Sequence, residues 1–509
     1  MNQPRKPLHG CAYYILAAAL ILAGCASPQS PQAPATLPPA TATVPVPTVT
    51  SPSTSAAEPA AATAGPAATA SPEVTAVPAA TAVEPCPQGK VTIKLDDWSV
   101  TEDGIAARDE VLAGFAAAYP CIQVEVVAQV EQGADAARLK QIQAGTASDL
   151  IAVESSYIPA YTDAGGLADL TPFIEADPDF KPGDFFQGVW KSGFYKDTPR
   201  AINKDFSTSA VYINAGLFEK AGIPLPQEGW TYDEYLNIAQ QLTLDANGNN
   251  ALSPDFDPDN IVQYGTTSPY WAGTTGWFRG FQNILYSFGA HSLDPQGTKT
   301  TGFLNSPAAL RAWEFSRDLV HKYHVAPDAA VMSGQKDANL NLFKEGKLAM
   351  VGAYWGPWFS ETLDATPGLQ WTVAPLPAGP AGHQGVIMWM GWGLNARSEH
   401  PQEAWELLKW LTTEPGQRVF TRRAMTQYKP LAVETQRIND PFWGVFLAET
   451  EYVDVQDDAS NARFFSCVSN GPVAELLYKI WLPDGDQIDI QAELDRLAAE
   501  ADQCLAQKQ

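Results

Sequence analysis

Positive charge is scarce in this chain. Lys and Arg total 32 against 57 Asp and Glu, for a formal net charge of -25. Nucleic acid and anionic lipid would both be repelled, so neither is expected as the main ligand. The plainer consequence of the acidity is solubility. Long apolar runs are missing as well. The longest, Cys11 to Leu22, falls short of the ~20 residues a spanning helix needs. Cysteine is sparse, at six of 509 residues, and no Cys-x-x-Cys pair occurs, which leaves zinc ribbons and thioredoxin-like redox sites unsupported. Neither a Gly-x-Ser-x-Gly elbow nor a phosphate loop is present. His321 and His324 stand three apart without a third ligand, and read as a solvated helix end. Asp245 to Asn250 places oxygens at alternate positions, but Phe256 stands where a calcium loop needs its bidentate Glu, so a polar turn is expected. No metal and no cofactor is expected.

Residues 26–87 lack aromatics altogether and carry three charges, Glu58, Glu73 and Glu84. Pro, Ala, Thr, Ser and Val dominate. Such a segment cannot bury enough apolar surface to offset its ordering entropy. It predicts a disordered, partly polyproline-II stalk, open to O-glycosylation, spanning on the order of 40 to 50 Å as a coil. Ahead of it lie Arg5 and Lys6, the apolar run, and Leu22-Ala23-Gly24-Cys25. A basic flank, a short apolar segment and small residues at the cut describe an export signal over residues 1–24. The cysteine after the cut matches the lipobox of bacterial lipoproteins, in which that sulfur is acylated. Cys25 is therefore expected to anchor the chain to the extracytoplasmic face of a cell membrane, with residues 25–88 as lipidated cysteine and linker.

The remaining body, from about Gly89 to Gln509, is too long for one ordinary domain and predicts two lobes. Its four cysteines allow three pairings. Cys86 with Cys121, and Cys467 with Cys504, is favoured, because Cys86 and Cys121 flank the starts of two strands in one βαβ unit. Val91 to Leu95 alternates like a strand, Ile105 to Tyr119 is spaced like a helix that stops at Pro120, and Ile122 to Val127 is a second strand. A helix over Ala134 to Ala144 and a strand over Asp149 to Val153 follow. Strand, helix, strand, helix, strand predicts a parallel sheet, and ligands gather beyond the carboxyl ends of such strands. Further helices are expected over Tyr232 to Leu242 (capped by Thr231), Gly276 to Phe288, Pro307 to Tyr323, Pro401 to Leu411, a stretch from Glu414, and Gln491 to Lys508. Lys347 to Val351 and Gln370 to Ala374 read as strands.

Four stretches carry a family resemblance. They are Ser148 to Ile151 with Gly165 to Thr171; Ala210 to Ile223 with Trp230 to Tyr235; Phe343 to Met350 with Gly356-Pro357-Trp358; and Gly391 to Ala396 with Pro401 to Leu411. In this order they resemble the family 1 extracellular solute-binding proteins, the maltose-binding-like components of ABC sugar importers. The resemblance implies an α/β, two-lobe periplasmic-binding-protein-like (type II) fold with interlobe hinge strands. Lobe one would comprise 90–207 plus 392–427, and lobe two 208–391 plus 428–509. It implies a monomer that closes by hinge bending on a carbohydrate, presents it to ABC permease subunits, and performs no chemistry. At the first crossover the sequence departs from the family, with Ile213-Asn214-Ala215-Gly216 in place of tyrosine, asparagine, lysine and aspartate.

A sugar offers rim hydroxyls and apolar C–H faces, so its site needs aromatic plates and short polar groups. Lobe one supplies Asp97, Trp98, Glu154, Ser156 and Tyr157 at strand ends. The first crossover adds Lys204, Asp205 and Phe206. Lobe two adds Trp271, Trp277, Arg279, Tyr354, Trp355 and Trp358, and Trp389 and Trp392 flank the return hinge. Asp97 and Glu154 read equally as helix N-caps. Trp313, Trp405 and Trp410 fall on amphipathic helices and are assigned to core. Two other classes share parts of this pattern: a secreted glycoside hydrolase, which combines aromatics with paired carboxylates, and a carbohydrate sensor or adhesin addressing a signalling partner.

Overall fold

The structure is a computed structural model that describes residues 86, 89–99, 101–128, 134–267, 277–332, 337–354, 357–454, 458, 463–469 and 472–507. Cys25, Trp271 and Trp355 lie outside the described residues, and Trp277, Arg279, Tyr354 and Trp358 are described by backbone alone.

Eight strands build the two main sheets: β1 (Val91–Asp97), β2 (Ile122–Ala128), β3 (Leu150–Glu154), β4 (Ile202–Ser207), β5 (Ser209–Asn214), β6 (Met350–Tyr354), β7 (Trp371–Ala374) and β8 (Met388–Leu394). The first sheet has the order β2-β1-β3-β8-β4. β1 runs parallel to β2 and β3, as the βαβαβ pattern requires, and β8 runs antiparallel to β3 and β4. The second sheet has the order β6-β5-β7, antiparallel throughout. Thr208 alone separates β4 from β5, so one continuous run of chain serves both sheets. Its hydroxyl donates to the carbonyl of Phe446 at 2.7 Å. The chain returns between β7 and β8, and each sheet with its helices forms one lobe.

Local chemistry explains the element bounds. Thr101 accepts the Gly104 N–H at 3.1 Å and starts the helix Glu102–Ala118, which ends before Pro120. Thr231 and Glu234 form a capping box at the helix Tyr232–Leu242. Ser306 caps Pro307–His321, with proline in its first turn. At the departure from the family pattern, Asn214 accepts the Leu217 N–H at 3.3 Å and caps Ala215–Ala221. One expected strand starts later than its hydrophobic run: β6 begins at Met350, because Leu348 instead bridges Tyr264.

The lobe-one core joins Ile93, Leu95, Phe115, Trp392 and Trp405, and that of lobe two joins Trp313, Phe281, Leu477 and Leu494. A third cluster spans the crossover, from Val153 through Phe206 and Tyr212 to Val351 and Phe446. Trp313 and Trp405 are fully buried; Trp410 is half-buried and donates to the carbonyl of Val111 at 3.1 Å. Cys86 pairs with Cys121 and Cys467 with Cys504, at Cα separations of 5.3 and 5.6 Å. The Asp245 carboxylate accepts from Asn247, Asn249 and Asp257 and closes a polar turn. His321 meets the carbonyl of Ile480 at 2.8 Å. Among the described residues, no helix is long and apolar enough to cross a membrane.

Candidate functional site: the hinge floor and its two faces

Parallel strands deliver β1 and β3 to one edge, where a ligand is expected. Asp97 ends β1, buried, with its carboxylate 3.0 Å from the Arg108 guanidinium and accepting from Ser99 N–H and Oγ. Beside it, burial pushes the Asp96 carboxyl up, and the Arg138 guanidinium at 2.7 Å pulls it back. Arg138 in turn stands 6.0 Å over the Trp98 ring, and Trp98 stacks on Trp392 at 5.4 Å. Trp392 is 1% exposed and donates to the carbonyl of Asp96 at 2.9 Å. The structure thus places Trp392 in the lobe-one core, with Trp98 as the half-buried plate over it.

Glu154 ends β3 and caps the short turn Ser155–Tyr157. It accepts the Ser156 N–H at 3.3 Å, the Ser155 hydroxyl at 2.9 Å, and the Ser156 hydroxyl. Tyr157 is half-buried against Tyr161, with centroids 5.6 Å apart, and burial raises its phenol.

Strand register settles the hinge residues. Met390 on β8 pairs with Glu154 on β3 and with Asp205 on β4. Directly opposite residues in an antiparallel ladder share a sheet face, so Glu154, Met390 and Asp205 form one row across three strands. A bulge follows, since Gly391 pairs with Asn203 and skips Lys204. Lys204 therefore stands close to Asp205 and pairs with it at 3.0 Å. Trp389 pairs with Phe206 on the other face, and both are 2% exposed. The Trp389 indole N–H is buried without a hydrogen-bond partner.

The predicted set therefore divides. Glu154 and Asp205 lie on the face that carries Met390, while Phe206 and Trp389 belong to the opposite face. That opposite face carries a cleft of about 900 Å3 between the lobes, with Lys191, Tyr195 and Trp389 on one side and His291, Asp454 and Arg463 on the other. His291 sits 3.3 Å from Asp454 and 3.4 Å from Asp458. Burial opposes its charge, but the two carboxylates prevail and raise it to about 10. At the outer rim Arg423 joins the lobes. It donates to Asp103, on the helix after β1, at 2.8 Å, and to Glu361, on the helix Pro357–Asp364 after β6, at 2.6 and 3.1 Å.

Met390 was outside the residues expected from sequence. Strand alternation alone gives it the same face as Trp392; the bulge and its pairing with two carboxylates become legible only in the register.

The model of the bacterial extracellular solute-binding proteins matches residues 97–418. A binding protein of Brucella abortus is 26% identical over 292 residues, which make up 55% of this chain and 62% of that one. A maltotriose-binding protein of Pyrococcus abyssi is 25% identical over 332 residues, 63% of this chain and 62% of its own. The chain thus spans less than two thirds of either relative. Among solved structures, UspC of M. tuberculosis superposes with a TM-score of 0.68 at 21% identity, over 81% of this chain and 100% of that one. The sugar-binding protein MalE of Xanthomonas citri gives 0.68 at 17% identity, over 82% and 98%. These superpositions establish the shared two-lobe fold, and the match across 97–418 shows that this chain belongs to the bacterial extracellular solute-binding proteins.

Proposed function

We propose that this protein is a lipid-anchored, extracytoplasmic substrate-binding component of an ABC importer. It takes a carbohydrate between its lobes by hinge closure and releases it chemically unchanged. The observation that carries this reading is the cleft of about 900 Å3 between the lobes, where Phe194, Tyr195 and Trp389 share the walls with His291 and Asp454. Polar acceptors beside an apolar contact suit a hydroxyl-rimmed ring. The maltotriose-binding relative supports a sugar as ligand. The two lobes would comprise 90–207 with 392–427, and 208–391 with 428–509. Cys25 would carry the lipid and permease subunits would receive the closed monomer.

Isothermal titration of the purified chain against mono- and oligosaccharides tests the ligand class. Saturable heat with an intact sugar recovered afterwards is expected. A cleaved product would favour the hydrolase instead. Movement of the protein from the membrane to the soluble fraction on Cys25→Ser checks the anchor.

A further inference from the structure

A short hairpin, Phe194–Tyr195 against Thr198–Pro199, lies on the lobe-one side of the 900 Å3 cleft and lines it with Phe194, Tyr195 and Lys196. Ser155, the first residue after β3, lines the same space. The cleft therefore reaches the carboxyl end of a parallel strand, where ligands gather. Trp389, also in the lining, holds a buried indole N–H without a partner among the described residues, and an unmet buried donor is rare in a folded chain. Trp389 is only 2% exposed, so its ring face is not on offer. Phe194 is half-buried and packs edge-on against Trp190, with centroids 5.4 Å apart. Tyr195 is the other half-buried aromatic of this wall.

The hairpin turn consists of Lys196 and Asp197, both left-handed, at φ 51° and 62°. A two-residue turn of that shape favours Asn-Gly, and a lysine in it is strained. What the lysine adds is a contact. Its Nζ stands 4.6 Å from the Tyr195 ring centroid and 3.7 Å from one Asp163 oxygen. The Tyr195 hydroxyl donates to the other Asp163 oxygen at 3.0 Å. Asp163 thus holds the ring at its hydroxyl and Lys196 backs one face.

We propose that Tyr195 is the lobe-one aromatic plate of the cleft, on which an apolar C–H face of the ligand rests, and that Asp163 and Lys196 set its angle. The inference rests on the sugar reading above. A tyrosine can keep its hydroxyl bonded while its ring serves as an apolar surface. Lysine at the turn then gives up local stability for orientation, the pattern found where a site overrides local preference.

The test uses the full chain and titrates maltose, maltotriose, maltotetraose, trehalose and cellobiose. With a binding sugar in hand, Tyr195→Leu, apolar but not flat, and Tyr195→Ala are expected to weaken affinity by about ten-fold, and Tyr195→Phe to keep it within about three-fold. Lys196→Asn suits the turn better. It is expected to raise the melting temperature by about 2 °C and yet to weaken affinity two- to four-fold, by about the strength of an exposed cation over a ring. Those opposite signs would not arise from a purely structural lysine. Unchanged affinity in Tyr195→Leu and Tyr195→Ala overturns the proposal while leaving sugar binding standing. A loss in Tyr195→Phe as large as in Tyr195→Ala overturns it too, since the ring would then not be what binds. Lys196→Asn binding as tightly as wild type overturns the part given to Lys196. Silence of all five sugars toward the wild type overturns the sugar reading, and this proposal with it.

Discussion

His291 holds a proton between Asp454 and Asp458 at the wall of the 900 Å3 cleft, against the cost of burial. Its folded value of about 10 lies above the ordinary 6.5. The stability it contributes is therefore complete below about pH 6.5 and is lost as pH rises through about 10. Replacing it with Asn is expected to cost about 2 kcal/mol at pH 6 and much less at pH 10.5. Melting temperature against pH for both proteins checks this, and a gap that widens with rising pH would contradict it. Legibility at this scale was uneven. Asp97 and Glu154 could be located from the ends of two alternating strands. Their partners could not: Arg108 is eleven residues away on a helix, and the serines after Glu154 have no pattern that marks them as its donors. Trp389 and Trp392 looked alike in a Gly-rich stretch, yet one lines a cleft and the other fills a core. That difference comes from which neighbour packs on which face, and tertiary packing leaves no trace in three residues of sequence.

Elements with strong periodicity were readable almost to the residue. The helix expected over Tyr232 to Leu242 has those bounds, because Thr231 and Glu234 spell out a capping box. Thr231→Ala is expected to cost about 1 kcal/mol, seen as a lower urea midpoint with an unchanged slope. Short helices escaped notice. Ile158–Asp163, Gln187–Ser192 and Lys429–Glu434 have six residues each, under two turns, too few for a 3.6-residue period to declare itself. The bulge between β8 and β4 escaped for another reason, since it depends on two strands far apart in the chain. It makes Gly391 irreplaceable in a way its flanking Trp residues do not advertise. Gly391→Ala must push β4 away from β8, and a loss of roughly 2 kcal/mol or more is expected, read by thermal melting. Gly222→Ala, at a left-handed helix end with open space around it, is expected to cost about 1 kcal/mol from backbone strain alone.

For the whole molecule, the question is what holds the lobes at their present angle. At the rim, Arg423 pairs with Asp103 in one lobe and Glu361 in the other, all exposed. Such pairs are weak singly and screened by salt. They can still tilt a hinge whose two states differ by little. Arg423→Ala is expected to enlarge the radius of gyration of the free protein in scattering and to weaken ligand affinity about two- to five-fold. Raising the salt on the wild type should reproduce part of the effect. Removing the Cys467–Cys504 bridge, which closes 37 residues, is expected to cost about 4 kcal/mol by loop entropy, measured by denaturation of Cys467→Ser with Cys504→Ser.

The other bridge has a mechanical consequence. Cys86 is fastened to Cys121, immediately ahead of β2, and β1 and β2 run side by side in the same direction with Val91 level with Ile122. A tug arriving at residue 86 therefore enters both strands at the same end and at the same height. The ladder between them carries no shear, and β1 cannot be peeled alone from the middle of its sheet. The bridge acts as a rivet through two adjoining planks, so a pull applied at residue 86 is spread over the fold rather than concentrated on one seam.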